Sequence, residues 1–312
     1  MSRSPRAWVA AAWLVCAGSA PAIGPHELAL LVNARSPRSV AVANYFADLR
    51  GIPESNLIYL DVPDTVLEPP ACLSPAEFTR SIWKPACRAL EERGLSDQIL
   101  AWVYSVDFPV SVSTQPRLSL QGLTFLRNRV PDEKSVRQGQ YASLLFCGPQ
   151  KPGEPTPPGG SLEYFKKALQ DEMPLPSMML GFMGSRGNEF ARVLESLRTG
   201  AGADATRPAA PVGFVASQDV RSKCRHWQFP GAARDLAARG VRAALVEDAA
   251  RLPPSLSGLM LGTPWIPLYS STFAPGTLAD HLTSAAAIFD HYDQSKLTTW
   301  LDYGATASGG TI

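Results

Sequence analysis

The sequence predicts an α/β protein: a mostly parallel sheet with helices on both faces, three layers in all. Three observations carry this. Leu28 to Asn33 is a near-continuous apolar run, as expected for a strand buried on both sides. Strand-like segments alternate with helical patterns from residue 28 to residue 262, the order that builds parallel strands joined by crossover helices. Hydrophobic residues make up 45% and charged residues 18% of the 312, a balance that supports a sizeable core and excludes a disordered chain.

The elements follow in order. After the first strand, Ser36-Pro37 gives an N-cap with proline at the first helical position. Val42, Tyr45, Phe46 and Leu49 then form one apolar helix face, and Gly51 and Pro53 stop the helix. Leu57 to Leu60 is the second strand. Ser74-Pro75 with Glu77 is a capping box; its helix runs to Gly94 with a kink expected at Pro85. Gln98 to Val106 is the third and longest strand of this half. Residues 110 to 160 read as an excursion from one sheet, ending in the Pro/Gly-rich loop at 150–160, with a loop between subdomains as the alternative, and Ser161 to Gln170 reads as a helix. Met178 to Phe182 is a further strand; Asn188 then caps a helix bearing Phe190, Val193, Leu194 and Leu197. Val212 to Ala216 and Arg242 to Val246 are strands on either side of a helix ended by Gly240, and Gly258 to Gly262 is short and apolar.

The N-terminus carries an export signal. Arg3 and Arg6 precede the apolar run Trp8 to Ala17, and Ala20-Pro-Ala22 suits signal-peptide cleavage near Ala22. That run is shorter than the roughly 20 residues a bilayer needs, so no transmembrane segment is expected in the mature chain. The expected organisation is a signal peptide at 1–22 and a single α/β domain at 23–312, in the periplasm or outside the cell. Four cysteines remain after cleavage, Cys72, Cys87, Cys147 and Cys224; their pairing is open, and no spacing suits a zinc site. With 29 basic and 28 acidic residues the net charge is +1, which leaves no electrostatic footprint for nucleic acid.

Several positions could carry chemistry. Asp107 follows a strand, where open parallel sheets hold ligands, so it could be a site residue; capping of the loop is the plainer reading. The turn from Gly181 to Gly187 contains Arg186, but its spacing fits neither a dinucleotide fingerprint nor a P-loop, so no cofactor is implied. Asp219, Arg221 and Arg225 crowd the stretch after the strand at 212–216, where they could fix an anion or one another. Asp280 and His281, followed by Thr283 and Ser284, hold the ingredients of acyl transfer: a carboxylate to orient an imidazole, and a hydroxyl for it to activate. Neighbouring residues on a helix do not face one another, so capping of helices by Asp280, Thr283 and Ser284 is the plainer reading. His291, between Asp290 and Asp293, reads as a helix end.

A set of spaced residues then carries a resemblance. Asn33, Asp48-Leu-Arg-Gly-Ile-Pro53, Asn56, Arg186-Gly-Asn188, Asp219-Val-Arg221, Pro275-Gly276, Ala279-Asp-His-Leu-Thr-Ser284 and Gly304-Ala-Thr-Ala-Ser-Gly-Gly-Thr311 resemble an uncharacterised family of exported bacterial proteins. That family brings no activity with it. Its members continue past the Gly-Thr-Ile end, so the resemblance implies a chain truncated at its C-terminus. More remotely, the chain is similar to caspase-like cysteine peptidases of the gingipain type. Leu282-Thr-Ser-Ala-Ala286 stands where their nucleophile turn would be, and Leu301 to Ile312 resembles the segment that follows. No cysteine lies between His281 and Ile312 and no His-Gly motif lies upstream, so the Cys-His dyad of those peptidases is missing. The resemblance therefore implies a degenerate caspase-like fold that binds a peptide or protein at the cell envelope. The alternative is a hydrolase with Ser284 or Thr283 as nucleophile, His281 as base, and Asp280 or Asp219 as orienter. It requires a His281 nitrogen within about 3 Å of a hydroxyl.

Overall fold

The computed structural model describes residues 23–63, 71–138, 174–203, 206, 209–266, 271–290 and 293–311. The segment 1–22 read as a signal peptide, Cys147, the stretch 150–160 read as a loop, the helix read at 161–170 and His291 lie outside the described residues.

The strands, in chain order, are β1 (Leu28–Asn33), β2 (Leu57–Leu60), β3 (Cys72–Leu73), β4 (Ala101–Tyr104), β5 (Ser111–Val112), β6 (Leu118–Ser119), β7 (Ser177–Met179), β8 (Val212–Val215), β9 (Ala243–Val246), β10 (Ser255–Gly262), β11 (Thr272–Leu282) and β12 (Ala307–Gly309). They form a four-stranded sheet in the order β2-β1-β4-β7, a five-stranded sheet in the order β12-β11-β10-β8-β9, and a small sheet β3-β5-β6. Among the described residues the β5–β6 pairing is the one antiparallel pairing. The fold is mostly parallel α/β, as the apolar runs and their alternation with helices predict. The parallel order is divided between two sheets, whereas the sequence suggested a single one.

The first sheet shows how the layers arise. Helix α1 (Pro37–Arg50) starts at Ser36, whose side chain accepts from Ser39 N, and ends at Gly51 in the left-handed conformation (φ 64°). Val42, Ala43 and Phe46 of α1, with Val193, cover Leu30, Val32, Leu57 and Val103 on one face of the sheet. On the other face Ala29, Leu31, Ile58, Leu60, Trp102 and Tyr104 meet Phe78, Ile82, Ala86 and Leu90. Alternate strand residues face opposite ways, so one apolar run feeds both cores. The second layer of helix is continuous through Pro75–Phe78, a π-helical turn at Thr79–Trp83, and Lys84–Glu92. Its capping box forms, with Ser74 Oγ accepting from Glu77 N and the Glu77 carboxylate accepting from Ser74 N. The wider π turn precedes Pro85, a position where the missing N–H and the bulky ring disturb an α-helix.

Helix α2 (Phe190–Gly202) packs against both α1 and β11 and so stands between the two sheets. Its N-cap is Glu189, with no side-chain cap bond. Asn188, expected as the cap, instead donates to the Thr298 carbonyl (2.8 Å) and to Asp302 Oδ1 (3.1 Å). In the second sheet Val215, Leu256, Leu259, Leu261, Ala279, Trp300 and Ala305 form the inner core. On the opposite face Phe214 packs on Phe229 of the helix Phe229–Ala238.

The largest departure from the sequence reading is β11. It is an eleven-residue strand, and Asp280 and His281 lie on it, so Asp280 caps no helix. Thr277, Ala279 and His281 are buried, while Leu278 between them is 56% exposed. The strand at 98–106 is also shorter than expected. Gln98 is held in a turn by Leu95, and Ser105 Oγ turns to the Ser39 carbonyl (2.7 Å).

Candidate functional site

Both parallel sheets reverse direction at one point, and polar residues gather at the carboxyl ends of the strands there. In the first sheet the reversal lies between β1 and β4; in the second it lies between β8 and β10. Such reversals leave a crevice outside the strand ends, because the loops depart to opposite sides.

At the first crevice Asp107 has a positive φ (59°) and is 6% exposed. Its carboxylate accepts from Ser36 Oγ (2.5 Å) and from both Nε and Nη2 of Arg38 (3.0 Å each). Its carbonyl accepts from Asn33 Nδ2 (2.8 Å). The carboxylate thus lies at the N-terminus of α1, where the helix dipole favours a negative charge. The chain's own aspartate fills the place an anionic ligand would take.

At the second crevice the chain leaves β8 and turns at once into the short helix Val220–Lys223. Asp219 caps it, accepting from Arg221 N (2.8 Å), and Arg221 Nη1 returns to Asp219 (3.3 Å). This turn presses on β10: a Cβ on Gly262 would stand 2.5 Å from backbone atoms of Arg221 and Ser222. Arg225 donates to Asp280 Oδ1 and to the Leu261 carbonyl (2.8 Å). It therefore ties the loop after β8 to both β10 and β11. Two large apolar side chains are exposed on the loops leaving β8 and β10, Val220 (71%) and Trp265 (55%).

His281 points the other way from Asp280, as successive strand residues do. It is fully buried, and its Nε2 lies 2.7 Å from the Thr263 carbonyl. A carbonyl can only accept, so Nε2 carries the proton and Nδ1 carries the lone pair. Nδ1 is buried without a hydrogen-bond partner among the described residues. The ring stands edge-on to Trp300, with centroids 5.8 Å apart. Burial pushes the imidazole below its ordinary value; the Thr263 carbonyl and Asp280 act in the opposite sense, and Arg225 and Arg221 add to the depression.

The hydroxyls do not meet this imidazole. Thr283 Oγ1 donates to Gln294 Oε1, which also accepts from Ala285 N (2.8 Å). Ser284 is exposed. The structure brings Asp219, Arg221, Arg225, Asp280 and His281 together, and among the described residues no hydrogen bond joins His281 to Thr283 or Ser284. Arg186, at φ 62°, sits in the adjoining turn and donates to the Phe289 carbonyl (2.7 Å). The stacked rings of Phe182 and Phe289 (3.9 Å), together with Val110 and Ala71, join this turn to the loops of the first sheet.

Sequence reasoning missed Gln294, Trp265 and Lys296. Lys296 is 6% exposed, donates to the Ala285 carbonyl (3.0 Å) and stands 3.7 Å from Asp293. Burial depresses its pKa. A polar pair of residues at 294 and 296 gives no pattern by which to foresee this. Cys72, Cys87 and Cys224 are free thiols. Among the described residues no group of three or more His, Cys, Asp or Glu could hold a metal, and no helix is long and apolar enough to cross a membrane.

No protein-family model, no curated protein and no solved structure matches the chain.

Proposed function

We propose that this chain is an exported binding protein with a degenerate caspase-like fold, which takes a peptide or protein segment at the cell envelope. The ligand docks at the carboxyl ends of β8, β10 and β11. One observation carries the choice of binding over hydrolysis: the lone pair of His281, on Nδ1, is buried with no hydroxyl bonded to it, and Thr283 Oγ1 donates to Gln294 instead. A general base must reach the hydroxyl it activates. Support for the docking surface comes from Val220 and Trp265, exposed beside the Asp219–Arg221 and Arg225–Asp280 ion pairs. Tryptophan and arginine at the centre of a contact are the residue types that contribute most to binding.

The test is a fluorophosphonate labelling and peptide-turnover screen on the whole exported chain, with Ser284→Ala and His281→Ala as controls. No labelling and no turnover are expected. Labelling that disappears in both variants would restore the hydrolase. A parallel peptide-binding screen should show Trp265→Ala weakening binding by about tenfold, the loss of one anchoring side chain.

A further inference from the structure

We infer that the free edge of the second sheet, strand β12, takes an extended peptide by strand addition, and that a lysine or arginine of this peptide crosses Gly309 to reach Asp280. The inference rests on the binding reading above and specifies its ligand.

Among the described residues β12 pairs with β11 on one side only. On such an edge every second residue turns its N–H and C=O outward, a ready template for another strand. Edges are ordinarily guarded by charged side chains or proline. β12 reads Ala307-Ser308-Gly309, with neither guard, and Ala307 is exposed.

The register supplies the charge. Asp280 of β11 is paired with Gly309 of β12, so both project to the same face of the sheet. A Cβ placed on Gly309 would lie 3.8 Å from Asp280 Oδ2. The missing side chain opens a lane over β12 that leads to this carboxylate. Asp280 is 42% exposed at its side chain. Its Oδ1 is engaged by Arg225, while Oδ2 holds no hydrogen bond among the described residues. A carboxylate accommodates several donors, so a second cation can add without displacing the first. An added strand would lie about 4.8 Å beyond β12, and only a long side chain could cross back from there to β11. Leu278, 56% exposed and paired with Ala307, offers an apolar floor for the methylenes of such a chain.

The experiment uses the whole chain and two labelled peptides of alternating threonine and valine, one with a central lysine and one with a central glutamate. Binding is followed by fluorescence anisotropy and self-association by sedimentation. The lysine peptide should bind about tenfold more tightly than the glutamate peptide. Asp280→Asn should erase that preference while leaving weaker binding in place. Gly309→Val, which closes the lane, should cost the lysine peptide about tenfold, and Gly309→Ala should cost less. Should Gly309→Val fail to fold, as judged by circular dichroism, Gly309→Ala and Asp280→Asn decide the matter. Equal affinities for the two peptides in the unaltered protein would overturn the inference. So would indifference of the lysine peptide to the Gly309 and Asp280 changes, which would still leave the binding reading intact. A dimer through β12 that excludes the peptide would also overturn it. Fluorophosphonate labelling dependent on Ser284 and His281 would instead remove the underlying reading.

Discussion

Replacing Asp107 by alanine should weaken the fold far more than it alters any binding. The carboxylate accepts one hydrogen bond from Ser36 and two from Arg38 while almost fully buried. Each charge-assisted bond contributes about 1.5–3 kcal/mol, and losing one partner of a buried pair costs about 3–5 kcal/mol. Two features reduce this. The Arg38 side chain is 52% exposed, so water recovers part of its solvation, and Ser36 keeps its cap to Ser39 N. A loss of about 2–4 kcal/mol is expected, or about 3–7 °C in melting temperature for a chain of this size. Asp107→Asn keeps the shape and loses the charge, so it should cost about half as much. Asp107→Gly relieves the positive φ, a gain of about 1 kcal/mol, yet should still be less stable than the parent. Urea melts of the three variants and of Arg38→Met with Asp107→Ala would measure this, the double variant losing less than the sum. A change below about 0.5 kcal/mol in Asp107→Ala, the range of an ordinary surface substitution, would refute the structural role and return Asp107 to the binding candidates.

Other consequences can be checked in the same assay. His281 has a depressed pKa in the folded chain, so its neutral form stabilises the fold fully above the unfolded value of about 6.5, and that contribution is lost as pH falls towards the folded value. Urea melts between pH 8 and 5 (a window set by that titration) should show stability falling with acid, and His281→Gln should flatten the slope. Gly262→Ala would drive a methyl into the backbone of Arg221 and Ser222; a loss of about 3 kcal/mol is expected by chemical denaturation. Asn188→Ala removes the bonds to Thr298 and Asp302 and should cost about 1–2 kcal/mol. Raised hydrogen exchange in residues 298–302 should accompany it.

Much of the first sheet was legible in the sequence. Ser36, Gly51 and the Ser74–Glu77 box mark helix ends by local chemistry, and local chemistry is what a sequence displays. β11 was not legible, because its pattern is inverted. A histidine and a threonine face the core while Leu278 faces out, and Pro275-Gly276 imitates a break. The division into two sheets leaves no local mark either, since it depends on which distant strands pair. The candidate site was legible as a set of residues and not as a geometry. Asp280 and His281 stand side by side in the sequence as natural partners, but strand alternation sends one to Arg225, 55 positions away, and the other to Thr263. Asn188 has the residue type of a cap, and its amide is taken by a carbonyl 110 positions along the chain.

The ring of His281 offers the most direct test of the account. Nitrogen chemical shifts measured by NMR across an acid titration would report its tautomer and its pKa together. A neutral ring is expected, with the proton on Nε2 at neutral pH, titrating below the ordinary histidine value and unmoved by Ser284→Ala or Thr283→Val. A proton on Nδ1, with Nε2 free and shifting when either hydroxyl is removed, would mean that the imidazole serves a nucleophile, and the binding account would fall.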